Sequence, residues 1–365
     1  MQLEQKDRVI ERLKELHSGI RQAIVRRRSE MPMERLSQVV EENESNVKYD
    51  LDVAAERHLV DYCTAWAADE KTCFVLVAEG LSGAAANGDH VVFPQTASER
   101  DAKFVLIVDP IDGSRLLTYD KRSAWALSGI APWKPSGCTL ADITVAVQSE
   151  LPTSKQSLAD VLIATSDSRT ICERFDTSTG KLVSRFTPLP SRARTLDQGF
   201  ATVSKFFPGG KEIASHIEES LAHTLVGPIQ KGRAAIFDDE YISTGGQLYE
   251  LACGHDRFIA DIRPLMSGWL SRRGVELGLC AHPYDLCTEL IARQAGVCVS
   301  QPDGSPLNAP LDTTTNVAWV GYANPTLKGL IEPHFQELLA KVLVHLGMHD
   351  EPHGHAMMGL PEQND

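Results

Sequence analysis

Residues 104–114 read Phe-Val-Leu-Ile-Val-Asp-Pro-Ile-Asp-Gly-Ser. The run at 104–108 is apolar without alternation, as expected of a strand buried on both faces. It passes without a break into Asp109-Pro110-Ile111-Asp112-Gly113-Ser114. Carboxylates at i and i+3 on a tight turn can converge on one point, and Pro110 narrows the shapes that turn can take. Gly113 lets backbone approach a ligand closely. If Ser114 opens a helix, its N–H and that of Gly113 point at an anion. Hard oxygen donors of this kind suit Mg²⁺, which takes one or two carboxylates together with substrate phosphate. The plainer alternative is a turn held by Asx hydrogen bonds.

Working outward, residues 74–78 form a second short apolar run, ending at Glu79-Gly80. Upstream of it, Val53, Leu59, Val60 and Cys63 mark the buried side of a helix that Asp52 begins, where the ordinary use of Asp is an N-cap. The helical period of Val9, Ile10, Leu13, Leu16, Ile20 and Ile24 predicts a helix over 3–28. Residues 80–99, rich in Gly, Asn, Ser and Ala, read as a loop or flap. Downstream, 124–185 reads as strands broken by turns. Helices are expected at 211–225, 244–253, 284–295 and 326–346, with a strand at 317–322. Strands with intervening helices make an α/β or α+β chain. Two subdomains are expected, 1–185 and 186–348, with 349–365 a disordered polar tail.

The 365 residues carry 36 Lys+Arg against 49 Asp+Glu, a formal charge of −13. That balance argues against a nucleic-acid polymer as partner, since phosphate backbones demand a basic face. No apolar run reaches the roughly 18 residues of a membrane-spanning helix. The start is charged from the first turn and lacks a signal-peptide core. Eight cysteines without a C-x-x-C pair give no zinc pattern and, at this size, no disulfide framework. A cytoplasmic protein is the expectation. Pro208-Gly209-Gly210-Lys211 lacks the spacing of a nucleotide-binding loop.

The ensemble of motifs resembles the inositol monophosphatase superfamily, Mg²⁺-dependent and lithium-sensitive phosphatases that include fructose-1,6-bisphosphatase and the 3′-phosphonucleotide phosphatases. Asp109–Ser114 matches the first signature, D-P-[IL]-D-G-[ST], at every position. Tyr284-Asp285-Leu286-Cys287-Thr288 is similar to the second, W-D-x-x-[AG], with Tyr in place of Trp. Asp52 four residues before Glu56, and Glu79 after a short strand, fit two further family features in the expected order. The likeness spans about residues 5–345.

The resemblance implies a layered α/β/α/β sandwich and two or three Mg²⁺ ions. Glu79, Asp109 and the Ile111 carbonyl would hold one ion; Asp109, Asp112 and Asp285 would hold a second. Asp52 and Ser114 would orient and deprotonate a water, while the Gly113 and Ser114 N–H groups hold the phosphate. Ser243 and Thr244, in a segment similar to the family's Gly-[Ser/Thr]-Ala-Ala helix start, are substrate-site candidates. The substrate would be a small phosphate monoester: inositol monophosphate first, with fructose-1,6-bisphosphate and 3′-phosphoadenosine 5′-phosphate as alternatives. A homodimer is the family habit. One departure stands out. Gly80 occupies the place where the family often has a second Glu. A non-catalytic phosphate-binding homologue is the reading of another class.

Overall fold

The computed structural model describes residues 3–42, 47–81, 90–228 and 230–347. In chain order the elements are α1 (Leu3–Glu30), α2 (Met33–Leu36), β1 (Val39–Glu42), β2 (Val47–Tyr49), α3 (Asp50–Glu70), β3 (Phe74–Ala78), β4 (His90–Phe93), β5 (Phe104–Asp112) and α4 (Ser114–Thr118). There follow β6 (Ala124–Pro132), β7 (Val145–Leu151), β8 (Leu158–Thr165), β9 (Ile171–Asp176), β10 (Leu182–Phe186), β11 (Gly199–Val203), α5 (Lys211–Val226) and β12 (Ile236–Phe237). The chain continues through α6 (Thr244–Ala252), β13 (Asp256–Asp261), α7 (Ser267–Arg272), α8 (Glu289–Ala295), β14 (Cys298–Ser300), β15 (Trp319–Tyr322) and α9 (Pro325–His345).

Eight strands form one sheet in the order β10-β9-β8-β7-β6-β5-β3-β4, and five form another, β12-β11-β13-β15-β14. In the large sheet only β3 and β5 run parallel. Burial on both faces explains the unbroken apolar runs of these two strands. Phe74, Leu76, Leu106 and Val108 join the core under α1 and α3. Their neighbours Val75, Val77, Val105 and Ile107 join the core on the opposite face. That second core is continuous with side chains of the small sheet, and α6 and α8 pack within it.

Side-chain alternation places a further layer beyond the small sheet. A Cβ on Gly321 would meet Leu251 of α6, whereas Phe258 stacks on Tyr322 and on Phe335 of α9. The layers are therefore α1/α3, large sheet, α6/α8, small sheet and α5/α9. This is an α+β layered sandwich, as expected, with one more helical layer.

Several local expectations are corrected. The strand read at 104–108 runs on to Asp112, so the Asp-Pro-Ile-Asp stretch is itself strand, with a one-residue bulge where Asp109 faces Leu127 and Asp112 faces Trp125. The loop read at 80–99 contains β4, which is only four residues long but is paired along β3. The helix read from 284 begins only at Glu289, because 283–288 forms turns whose amides bond to carbonyls three residues back. The strand read at 317–322 is confined to Trp319–Tyr322. Part of the flap, residues 82–89, and the tail from 348 lie outside the described residues.

Candidate active site

The bulge at the end of β5 is the seed of the site. The backbone amide of Ile111 donates to Asp109 Oδ1 at 2.9 Å, and Gly113 follows with φ +91°. A Cβ there would sit 3.1 Å from the Ile242 carbonyl and from Ser243 Cβ, so the turn needs glycine for both conformation and space. Ser114 then opens α4.

Asp112 is steered from the second half of the chain. Its Oδ2 accepts from Ser243 Oγ at 2.8 Å and from the Gly245 amide at 2.6 Å. Ser243 caps α6, its hydroxyl also accepting from the Gly246 amide at 2.9 Å. A Cβ on Gly245 would lie 2.9 Å from Asp112 Oδ2 and 2.6 Å from Leu127 Cδ2. Glycine thus lets a helix amide reach the carboxylate. Asp285 is fixed by its own turn, its Oδ2 accepting the His282 amide at 2.6 Å. Tyr284, in the place of the expected Trp, stacks on the His282 ring at 5.1 Å.

The structure brings Asp109, Asp112 and Asp285 together, with one carboxylate oxygen of each within 4.8 Å of the others. Among the described residues no lysine or arginine lies within 4.0 Å of these three carboxylates. Glu79 falls outside that group but lines the same cavity, as do Ile111, Gly113, Ser114, Ser243 and Thr244. Burial and repulsion hold protons on Glu79, Asp109 and Asp112. Burial first, then Asp285, pushes the Asp112 carboxyl up to about 8. Burial, then Asp285, pushes Glu79 up to about 8, and Asp109 is raised for the same reasons, Glu79 being its nearest repulsive neighbour. A concentration of hard oxygen donors that resist ionising together fits a divalent cation, which would supply the missing charge.

Asp52 lies on α3 beside this cavity, and its Oδ2 accepts from the Tyr49 amide at 2.7 Å. Burial raises its carboxyl to about 6, against the pull of the Tyr49 amide, Arg115 and the Ser114 hydroxyl. Asp52 and Ser114 therefore stand together at the edge of the cluster.

How the Gly80 position is filled is visible only in the fold. A Cβ on Gly80, whose φ is +79°, would lie 1.9 Å from Glu56 Oε1. The buried Lys48 ammonium holds this carboxylate, reaching Glu56 Oε2 at 3.0 Å and the Gly80 carbonyl at 2.7 Å. The Glu56 carboxylate thus takes up the space that a side chain at 80 would need. Lys48→Met removes a buried ammonium that bonds the part-exposed Glu56 carboxylate and the Gly80 carbonyl, and should destabilise the fold by about 2 kcal/mol, in the range for hydrogen bonds to charged groups. Urea unfolding measures this. Equal stability of Lys48→Met and the parent would remove the clamp from the account.

Arg115, Phe206, Phe207 and Arg263 also line the cavity. Arg263 is taken up by Asp261 and by the Leu279 carbonyl, while Arg115 lies over the Phe207 ring at 5.5 Å with no carboxylate within 4.0 Å among the described residues. An arginine directly after the first signature was its available sequence signal.

No protein-family model and no curated protein matches the sequence. Solved structures do match in fold. The extragenic suppressor protein SuhB from Bartonella henselae superposes with a TM-score of 0.59 at 14% identity, over 90% of this chain and 98% of that one. Leishmania major fructose-1,6-bisphosphatase gives 0.59 at 13% identity, over 90% and 93%. The Thermotoga maritima IMPase gives 0.54 at 14% identity, over 93% and 100%. The chain has the fold of the inositol monophosphatase and fructose-1,6-bisphosphatase superfamily.

Proposed function

We propose that the protein is a Mg²⁺-dependent phosphomonoesterase acting on a small polyol or sugar phosphate, in the manner of inositol monophosphatases. The observation that carries this reading is the convergence of Asp109, Asp112 and Asp285 within 4.8 Å at the end of β5, with no lysine or arginine within 4.0 Å among the described residues. Glu79, Asp109 and the Ile111 carbonyl would hold one ion, and Asp109, Asp112 and Asp285 another. Metal bound there supplies Lewis acidity toward the phosphoryl group and lowers the pKa of water.

The chain's own residues supply the rest. Asp52 is placed to accept a proton relayed through the Ser114 hydroxyl, and its carboxyl, near 6, is largely ionised at neutral pH. The Gly113 and Ser114 amides are the donors for the phosphate oxygens. Ser243 is spoken for by Asp112 and Gly246, so it positions a carboxylate, leaving Thr244 to face the leaving alcohol. Arg115, a cavity-lining cation with no carboxylate within 4.0 Å among the described residues, favours a substrate with a second anionic group. That gives fructose-1,6-bisphosphate and 3′-phosphoadenosine 5′-phosphate a specific claim as alternatives to inositol 1-phosphate. A homodimer belongs to the same reading. No helix of the described residues is long and apolar enough to cross a membrane.

Phosphate release from these three esters, with and without Mg²⁺, tests the proposal. Mg²⁺-dependent release from one of them is expected. A folded, Mg²⁺-binding protein silent on all three would favour the non-catalytic homologue.

A further inference from the structure

Helix α1 is rich in basic side chains, and most of them have acidic partners. Lys6 reaches Asp167, Arg8 and Arg12 share Glu70, and Lys14 reaches Glu11 and Glu173. Arg27 pairs with Asp50, and Arg28 with Asp120. Two arginines of the helix, Arg21 and Arg26, have no carboxylate within 4.0 Å among the described residues. Arg26 is exposed, so water solvates it. Arg21 is half-buried, and loss of hydration pulls its guanidinium below the ordinary arginine value. A cation stripped of water without a counter-charge is a standing cost to the fold.

Arg21 opens onto a cavity of about 260 Å³ between α1 and strands β7, β8 and β9. Lys14, His17, Ser18 and Arg21, spaced i, i+3, i+4 and i+7, line it from one face of the helix. Its floor is polar and fixed, because the buried His17 ring bridges Ser149 Oγ at 2.9 Å and Ser128 Oγ at 2.7 Å. Val161 and Phe175 give it an apolar wall. Two acids, Glu15 and Glu150, line it as well, each held by other donors. Glu15 accepts from Tyr62 Oη at 2.8 Å, and Glu150 accepts from Gln156 Nε2 at 2.8 Å and the Asp160 amide at 3.1 Å.

The cavity is separate from the carboxylate cluster. Ser149 points to α1, whereas its neighbour Gln148 points through the opposite face to the Gly245 carbonyl at 2.7 Å.

We propose that this cavity is an anion-binding site for a small ligand whose phosphate or carboxylate group pairs with Arg21 and Ser18 while its apolar part rests on Val161 and Phe175. A charge-assisted bond to Arg21 would recover the hydration that the guanidinium has lost.

Isothermal titration of the full chain with inorganic phosphate, and separately with malonate, distinguishes the two anion types. Each titration is run with Mg²⁺ and again with EDTA, since binding beside α1 needs no metal. Saturable binding of at least one anion in EDTA is expected, weakened by about tenfold or more in Arg21→Gln. Arg26→Gln, which removes an equal charge from the same helix, should bind as the parent does. Ser18→Asp places a carboxylate in the cavity and should abolish binding even if Arg21→Gln folds poorly. Absence of binding by both anions at millimolar concentration would overturn the proposal. So would equal weakening by Arg21→Gln and Arg26→Gln. Neither result touches the phosphatase reading, which is judged by turnover.

Discussion

Asp112→Asn is expected to abolish most turnover and, in the metal-free protein, to raise the melting temperature. The two effects have one origin. Asp112 is 5% exposed, and burial together with Asp285 lifts its carboxyl to about 8. The amide is close to the carboxyl in shape, and its oxygen can still accept from Ser243 Oγ and Gly245 N, so the α6 cap should survive. Removing one of the crowded acids relieves repulsion when no metal is present. With Mg²⁺ the balance reverses, because a ligand and a charge are gone. Metal centres stabilise transition-state charge by several kcal/mol, and a loss of about 4 kcal/mol is roughly a thousandfold in rate. Steady-state kinetics on the active ester and paired melts in EDTA and Mg²⁺ read both halves. Undiminished turnover would remove Asp112 from the metal site, and an unfolded variant would show that the carboxylate serves structure first.

The local signals in the sequence were those with a short reach. The apolar run at 104–108 reveals a buried strand and the Asp-Pro-Ile-Asp-Gly-Ser stretch a pair of converging acids, although the acids sit on the strand itself and not on a turn after it, since burial acts between near neighbours. The period of α1 was equally plain, and the helix spans Leu3–Glu30. What stayed hidden depends on contacts across the chain. Nothing near Gly245 announces that its amide meets Asp112, 133 residues away. Gly80 read as a missing carboxylate, and only the fold shows Glu56 and Lys48 filling its surroundings. The strand β4 has four residues and no strong pattern, yet β3 supplies it with a ladder. Asp285 was identified by resemblance, and its approach to Asp109 is a consequence of turns at 283–288 that helical periodicity misread.

In the absence of metal, stability is expected to fall as the pH rises toward 8, and Mg²⁺ should restore more stability the higher the pH. Glu79 and Asp112 have ordinary values of 4.5 and 3.8 and are lifted to about 8 in the fold. A group whose value is raised on folding keeps its proton where the unfolded chain has released it. Its contribution is therefore complete below the unfolded value and is lost as the pH climbs through the folded one. The slope counts the protons held by these carboxyls and by Asp256, which burial also raises, to about 7, at about 1.4 kcal/mol per pH unit for each. His17 acts in the opposite sense. Burial lowers its ring from 6.5 to about 3, so its contribution is present above 6.5 and is lost as the pH falls toward 3. Between about pH 6.5 and about pH 8 the carboxylates act without that opposition, which makes this the window to measure. On the proposed reading Mg²⁺ would bind the ionised carboxylates and displace their protons, so its stabilising effect should grow across the same window. Urea unfolding in EDTA and in Mg²⁺ at several pH values gives both slopes. Asp112→Asn should flatten the EDTA slope, because one of those protons has left the cluster. A metal-free protein equally stable across the window would mean that the acids ionise freely, and the cluster would then be no poised cation site.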